Sequence, residues 1–343
     1  MNAPQLTVVA TSRNDDHGGN LLARMQLFID GLAEQAERFR MPVELLLVEW
    51  NPPAGRPALR NALRWDESEH FHPAVITVPH DLHATMPNAD RLPIYQMIAK
   101  NVGIRRARAP YVLATNIDIL LTDELFAFLQ SGLKPNAMYR ADRYDVVAQL
   151  DGPVMPTPAE CRLLAPIREH QLGGLHYRNG ASNPAPRRRF GAPDISRLAM
   201  GAWYRLVLPR LHTSGCGDFT LTSRECWSAI RGYPEWPIFS WHIDGIVLYQ
   251  AYALGLELVN LQPPMAAVHL EHGTGSGWTP EGARALFARL DEVGVPYMST
   301  NGYRSWAARF VRAGRKARPI NEPDWGLASA DLPVSGFEHR QVG

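Results

Sequence analysis

Leu6 to Ala10 is a short apolar, β-branched run that stops at the polar cluster Thr11-Ser12-Arg13-Asn14-Asp15-Asp16 and at His17-Gly18-Gly19. Such a run predicts a buried strand followed by its C-terminal loop. From Asn20 to about Phe39, the residues Leu21, Leu22, Met25, Phe28, Ile29 and Leu32 recur at three-to-four spacing, which marks an amphipathic helix. Val43 to Val48 is a second apolar run, closed by Glu49-Trp50-Asn51-Pro52-Pro53. Strand, helix and strand with few residues to spare form a βαβ unit, hence a parallel sheet covered by helices. Ala74 to Val78 predicts a third strand, Ile94 to Arg106 a helix, and Tyr111 to Ala114 a fourth strand ending in Thr115-Asn116-Ile117-Asp118. Ligands of open α/β sheets sit beyond the carboxyl ends of the strands, so Asn14, Glu49 and Asp118 are expected near one another in one crevice.

Asp123 to Leu129 continues as a helix, and from about Lys134 the regularity fails. Residues 151–215 are rich in Pro, Gly and Arg and keep no period, which suits an acceptor-side insertion or lid. Pattern resumes with a strand at Phe219 to Thr222, helices at Arg224 to Ile230 and Ile243 to Leu254, a strand at Leu256 to Leu261 and a helix at Glu281 to Val293. The expected organisation is one domain over 1–297 and a tail over 298–343 that wraps it. Within the domain, 1–134 is the nucleotide-binding half, 135–215 the insertion, and 216–297 the acceptor and metal-ligand half.

Composition narrows the partners. The 343 residues carry 35 Lys+Arg against 34 Asp+Glu, so no global field points to nucleic acid. Cys161, Cys216 and Cys226 are odd in number and lack CxxC spacing, which argues against a disulfide framework or a zinc knuckle and fits a reducing compartment. No stretch approaches the roughly 18–20 apolar residues that span a bilayer, and no leader pattern opens the chain. A cytoplasmic, non-integral protein is expected.

Several residues can carry chemistry. Asn116 and Asp118 project to the same side by strand alternation, and an oxygen pair there suits Mg²⁺ or Mn²⁺, although a plain strand-end turn has the same sequence. Val268-His269-Leu270-Glu271-His272 offers two imidazoles, either of which can complete a metal site with Asp118. The loop that follows, Gly273-Thr274-Gly275-Ser276-Gly277-Trp278, can close over a diphosphate through its backbone N–H groups. Asp244 lies in a segment just before a helix, at or near its N-cap, where it either caps the helix or acts as a general base on an acceptor hydroxyl. Lys100 can reach a phosphate from its helix. Arg187 to Arg189 can grip an anionic acceptor or support peripheral membrane contact, and Trp236 and Trp241 can stack on a sugar ring.

Taken in order, these segments resemble inverting GT-A glycosyltransferases of the large family-two type and their galactosyltransferase-like relatives. Lys100-Asn101-Val102-Gly103 through Pro110-Tyr111-Val112-Leu113 is similar to that family's approach to its Asp-x-Asp motif, whose place Asn116-Ile117-Asp118 takes. Gly217-Asp218 through Arg224, with Ile230-Arg231-Gly232-Tyr233-Pro234-Glu235, is similar to the acceptor-side segment, and Trp241-His242-Ile243-Asp244 stands where those enzymes have W-x-E-D. The resemblance covers about residues 6–280, with 135–215 unmatched.

It implies a Rossmann-like, mostly parallel twisted sheet with helices on both faces, an irregular insertion and a C-terminal tail. It further implies a UDP- or GDP-linked sugar donor, a saccharide or lipid-linked acceptor, and Mn²⁺ or Mg²⁺ on Asp118 with His272 as first choice and His269 as second. Asp244 would be the base. Thr11, Arg13, Asn14 and Glu49 would line the base and ribose pocket, joined by Lys100, Asn101, Asn116 and Trp278. Two departures stand out, Asn116 for the first Asp of the motif and Ile243 for the acid before the base. They keep open a catalytically inactive glycan-binding or scaffold module. A sugar-phosphate nucleotidyltransferase is the other alternative, but Gly18-Gly19 with Arg13 alone is a poor version of the basic, Gly-rich loop it requires.

Overall fold

The computed structural model describes residues 3–178, 203–204, 206–272 and 283–336. Its first half runs β1 (Leu6–Ser12), α1 (Leu21–Phe39), β2 (Val43–Trp50), α2 (Leu59–Ala62), β3 (Phe71–Val78), α3 (His80–Ala84), α4 (Gln96–Arg106) and β4 (Tyr111–Thr115). It continues with β5 (Ile119–Leu121), α5 (Asp123–Ser131), β6 (Ala137–Arg140), β7 (Asp142–Val146), α6 (Pro158–Arg162) and the β8 (Arg168–Gln171) to β9 (Gly174–Tyr177) hairpin. After the hairpin come β10 (Phe219–Ser223), α7 (Arg224–Ile230), α8 (Ile243–Leu254), β11 (Glu257–Asn260), β12 (Ala266–Leu270), α9 (Ala283–Glu292), α10 (Thr300–Ala313) and β13 (Val334–Ser335).

The main sheet has the order β11-β6-β10-β4-β1-β2-β3-β13. β3, β2, β1 and β4 are parallel neighbours, and β10 pairs antiparallel with β4. A second sheet, β5-β12-β7-β8-β9, stands beside it. This is the α/β class expected from the sequence, a mostly parallel sheet with helices on both faces. No helix among the described residues is long and apolar enough to cross a membrane.

Every residue of β1 and β2 is buried, as both-face coverage requires. Period-two alternation divides their side chains between two cores. Val8, Ala10, Leu45 and Leu47 meet Leu21, Met25, Phe28 and Leu32 of α1, while Val9, Leu46 and Val48 meet Met97, Ile98 and Val102 of α4. Helix α4 lies so close to β1 that a Cβ at Gly103 would stand 2.5 Å from Val9 Cγ1, so glycine is required there.

The stretch after Lys134 is more regular than its sequence suggests. It holds β6 and β7, and its later part holds α6, closed by a Thr157–Glu160 capping box, and the β8–β9 hairpin. The inward-facing positions of β7 and β8 are Arg143, Asp145, Arg168 and His170, which are satisfied by one another rather than by apolar neighbours, so no hydrophobic alternation marks them. Beyond residue 298, α10 packs on α8, and β13 adds an antiparallel edge beside β3.

Candidate active site

The parallel order β2-β1-β4 brings the ends of three strands side by side, with Ser12 opposite Glu49. β4 ends at Thr115, whose hydroxyl donates to the Asp218 carbonyl at 2.6 Å. Asn116 accepts from Gln96 Nε2 at 3.0 Å and donates to the Asp218 carboxylate. The next strand-end carboxylate, Asp118, faces a different set of partners. Its Oδ2 accepts from Arg24 Nη1 at 2.8 Å and lies 3.2 Å from His272 Nε2 and 3.8 Å from His269 Nε2. Asn116 and Asp118 therefore point to neighbouring but distinct contacts.

A ring of polar contacts closes around this point. Asn116 bonds Asp218, Asp218 bonds Arg143, Arg143 pairs with Asp145, and Asp145 Oδ1 lies 3.1 Å from His269 Nδ1. A carboxylate can only accept, so His269 carries a proton on Nδ1 toward Asp145, while its Nε2 faces Asp118. Carboxylate–histidine pairs of this kind fix the tautomer and orientation of metal-binding imidazoles. One ligand atom from each of Asp118, His269 and His272 lies within 4.8 Å of the other two. One carboxylate and two imidazoles are a donor set for a divalent cation such as Mn²⁺, with positions left for phosphate oxygens. Asp145, His269 and Glu271 form a second such cluster, in which two arginines, Arg143 and Arg168, pair with the carboxylates, against the single Arg24 on Asp118 in the first.

Electrostatics at the first cluster favour the charged forms of both Asp118 and His269, so a bound cation would have to displace a proton from His269. Burial alone would push the Asp118 carboxyl up, yet His269, His272 and Arg24 hold it well below the usual carboxylate range. Burial and Arg143 oppose charge on His269, but Asp118 and Asp145 outweigh them and raise its imidazole above the ordinary value. The loop after β1 presses on the same cluster. Gly18 has φ +77°, and a Cβ there would come within 2.4 Å of His272 Nδ1, so a side chain would displace the histidine as well as strain the turn.

Asp244 is the second residue of α8 rather than its cap. His242, at φ 71°, occupies the cap position without a side-chain capping bond, its Nε2 lying 3.4 Å from Thr300 Oγ1, and Asp244 Oδ1 accepts the N–H of Gly245 at 2.8 Å. Burial pushes the Asp244 carboxyl above its ordinary value, although the Cys216 thiol, the Gly245 N–H and the Lys100 charge all pull the other way. Lys100 is fully buried, donates to the Gly217 carbonyl at 2.6 Å, and is lowered by burial to about 8. A Cβ at Gly217 would lie 3.0 Å from Asp244 Oδ2. The Gly217-Asp218 step thus joins Asp244 on one side to Asn116 on the other.

At the ends of β1 and β2, Thr11 donates to the Val48 carbonyl at 3.0 Å, Asn14 donates to the Pro57 carbonyl at 2.9 Å, and Arg13 lies 3.5 Å from Asp15. Glu49 accepts the Leu59 N–H at 2.9 Å through Oε1, while its buried Oε2 has no partner among the described residues, and burial raises its carboxyl. Asn101 is placed differently. Its amide donates to the Tyr233 carbonyl and to Glu235 and accepts the Tyr233 N–H, all within 2.9 Å, so it ties α4 to the 233–235 turn. Asn101→Ala is expected to destabilise the fold by about 3 kcal/mol, because it leaves the Tyr233 N–H and carbonyl buried with fewer partners. Chemical denaturation checks this. Trp236 packs on Trp306, and Trp241 stands edge-on to Phe287 and His242. Trp278, the Gly273–Gly277 loop and Arg187 to Arg189 lie outside the described residues.

Sequence reasoning gave no role to Arg24, Arg143, Asp145 or Asp218. Arg24 had a legible signal, because it falls on the apolar stripe of α1 between Leu21 and Met25 and in a first turn that favours acidic residues.

No protein-family model matches this sequence, and no curated protein does. Among solved structures, the chain is similar to the crystal structure of the catalytic domain of Drosophila beta1,4galactosyltransferase 7 in complex with xylobiose, at 10% identity and a TM-score of 0.37. The likeness covers 78% of this chain and 71% of that one. The α/β class rests on this chain's own strand order, and the site on its own side chains.

Proposed function

We propose that the chain is a glycosyltransferase that moves a sugar from a UDP- or GDP-linked donor to an acceptor hydroxyl with inversion. The observation that carries this reading is the pairing of two sites at one sheet edge. Asp118, His269 and His272 converge on one point, and Asp244, a carboxylate of raised affinity for protons, is joined through Gly217-Asp218 to Asn116, two residues before Asp118.

A divalent cation, Mn²⁺ or Mg²⁺, bound by Asp118, His272 and His269 would neutralise the departing diphosphate, which then needs no proton. Asp244 takes the proton of the acceptor hydroxyl as that oxygen bonds to the anomeric carbon, and the bond from that carbon to the diphosphate oxygen breaks on the opposite side. Asp145 keeps His269 in the required tautomer, and Asp218 holds Asn116 through its amide. Thr11, Arg13, Asn14 and Glu49, at the ends of β1 and β2, would line the base and ribose pocket in this reading. Lys100 supplies positive charge between the two halves.

Calorimetry with UDP and GDP, each with and without Mn²⁺, tests the reading. Binding of one diphosphate that requires both Mn²⁺ and Asp118 is expected. Failure of both diphosphates to bind under any condition would sink the enzyme in favour of an inactive module, and tight binding indifferent to Mn²⁺ would remove the metal from the proposal.

A further inference from the structure

The chain as a whole carries a net charge of only +1, but its charges are not evenly spread. Between Glu292 and Glu322 there is no acidic residue, while Arg304, Arg309, Arg312, Arg315, Lys316 and Arg318 fall in or just after α10. Trp306, Ala307 and Phe310 of this helix turn inward against α8, and Arg309, Arg312, Arg315, Lys316 and Arg318 are exposed. Among the described residues, none of the six cations is in an ion pair. Single exposed cations are ordinary, whereas a run of six without a carboxylate creates a local positive field that the rest of the fold does not require.

The second observation is apolar. Trp203 is 44% exposed, Leu206 87% and Val207 39%, three large hydrophobic side chains within five residues. They are fixed beside the cationic helix, because Tyr204 between them bonds Ser305 at 3.1 Å and receives Arg304 over its ring at 5.9 Å, while Leu208 packs in the same core as Trp306 and Phe310. A nucleic acid or an acidic glycan would be met by the cations and could stack on Trp203, but would leave Leu206 and Val207 in water. A bilayer surface satisfies both, since its anionic headgroups attract the arginines and its acyl boundary accepts Trp, Leu and Val.

We propose that α10 and the adjacent Trp203, Leu206 and Val207 form a docking surface for membranes rich in anionic phospholipid. The inner side of the same helix reaches the site, as Tyr303 OH would stand 2.9 Å from a Cβ at Gly245, next to Asp244. Docking through α10 therefore brings the Asp244 side of the site to the membrane, where a lipid-linked acceptor hydroxyl would be found. That consequence rests on the proposed glycosyl transfer, whereas the docking surface does not.

The test is flotation of the full chain with phosphatidylcholine vesicles containing about one-third phosphatidylglycerol, against vesicles of phosphatidylcholine alone. Binding to the anionic vesicles only, weakened by salt, is expected. Arg312→Glu with Lys316→Glu should weaken it at least tenfold, and Leu206→Ser severalfold, with melting temperature and Mn²⁺ binding unchanged. Absence of binding, equal binding to both vesicles, or binding indifferent to these substitutions would overturn the proposal. So would tight, salt-sensitive binding to heparin or single-stranded DNA that Leu206→Ser leaves intact while vesicles are ignored. Donor binding, measured separately, reports on the glycosyltransferase reading and is unaffected by any of these outcomes.

Discussion

For the proposed sugar transfer, Asp244→Asn is expected to lower kcat by about a thousandfold, within the range that a positioned general base contributes, with any donor and Mn²⁺ binding left as they are. The expectation comes from what surrounds the carboxylate. Burial raises its pKa, so at neutral pH it is a stronger proton acceptor than an ordinary Asp, and the Gly245 N–H bonds one oxygen while the other faces Gly217. Asparagine preserves the shape and offers no basic oxygen. The base must be ionised to act, so the acid limb of kcat/KM should lie above the ordinary 3.8 of Asp. Lys100 pulls that limb down through its charge, and Lys100→Met, if folded, should move it to higher pH. Near wild-type transfer by a folded Asp244→Asn enzyme would show that the proton goes elsewhere, and an unchanged acid limb in Lys100→Met would remove Lys100 from the account.

The parts of the chain that were legible are those where water exclusion writes the pattern. The runs of β1 and β2, the Leu21–Leu32 stripe of α1 and the strand-end position of Asp118 follow from periodicity, and the parallel order then forces their ends together. The polar sheet was not legible. β7 and β8 bury Arg143, Asp145, Arg168 and His170, and apart from the Arg143–Asp145 pair on one strand their contacts join the two strands across more than twenty residues, so no apolar pattern distinguishes them from a charged loop. The same long-range logic explains Asn116. Sequence shows a missing carboxylate in the metal motif, whereas the structure supplies Asp218 as the partner of its amide, across 102 positions of sequence. Asn101 was misplaced for the opposite reason. Its neighbours in sequence suggest a phosphate-side helix, but its amide is consumed by the turn at Tyr233.

Arg24→Met is expected to bind Mn²⁺ on the order of tenfold more tightly than the native chain while being less stable without it. Arg24 is 1% exposed and gives one guanidinium nitrogen to Asp118 Oδ2, with the others holding the carbonyls of His17 and Gly19. A cation on that oxygen repels a divalent ion beside it, and in a poorly hydrated site the repulsion is worth several kcal/mol before relaxation. Removing Arg24 leaves a buried carboxylate unpaired, which costs about 3–5 kcal/mol, so the metal becomes the partner that restores the fold. The pH dependence follows from the depressed pKa of Asp118. The pair's stabilisation is complete above the ordinary 3.8 and is lost as pH falls below it, so the native and Arg24→Met chains should converge in stability under acid. The measurements are Mn²⁺ titration by electron paramagnetic resonance and the rise in melting temperature on adding Mn²⁺, with Asp118→Asn as the control that should abolish both. Should Arg24→Met bind Mn²⁺ no better than the native chain while Asp118→Asn still abolishes binding, the guanidinium would be a brace for the His17–Gly19 loop and not a competitor for the carboxylate. Binding that survives Asp118→Asn would place the metal elsewhere and take this cluster out of the proposed chemistry.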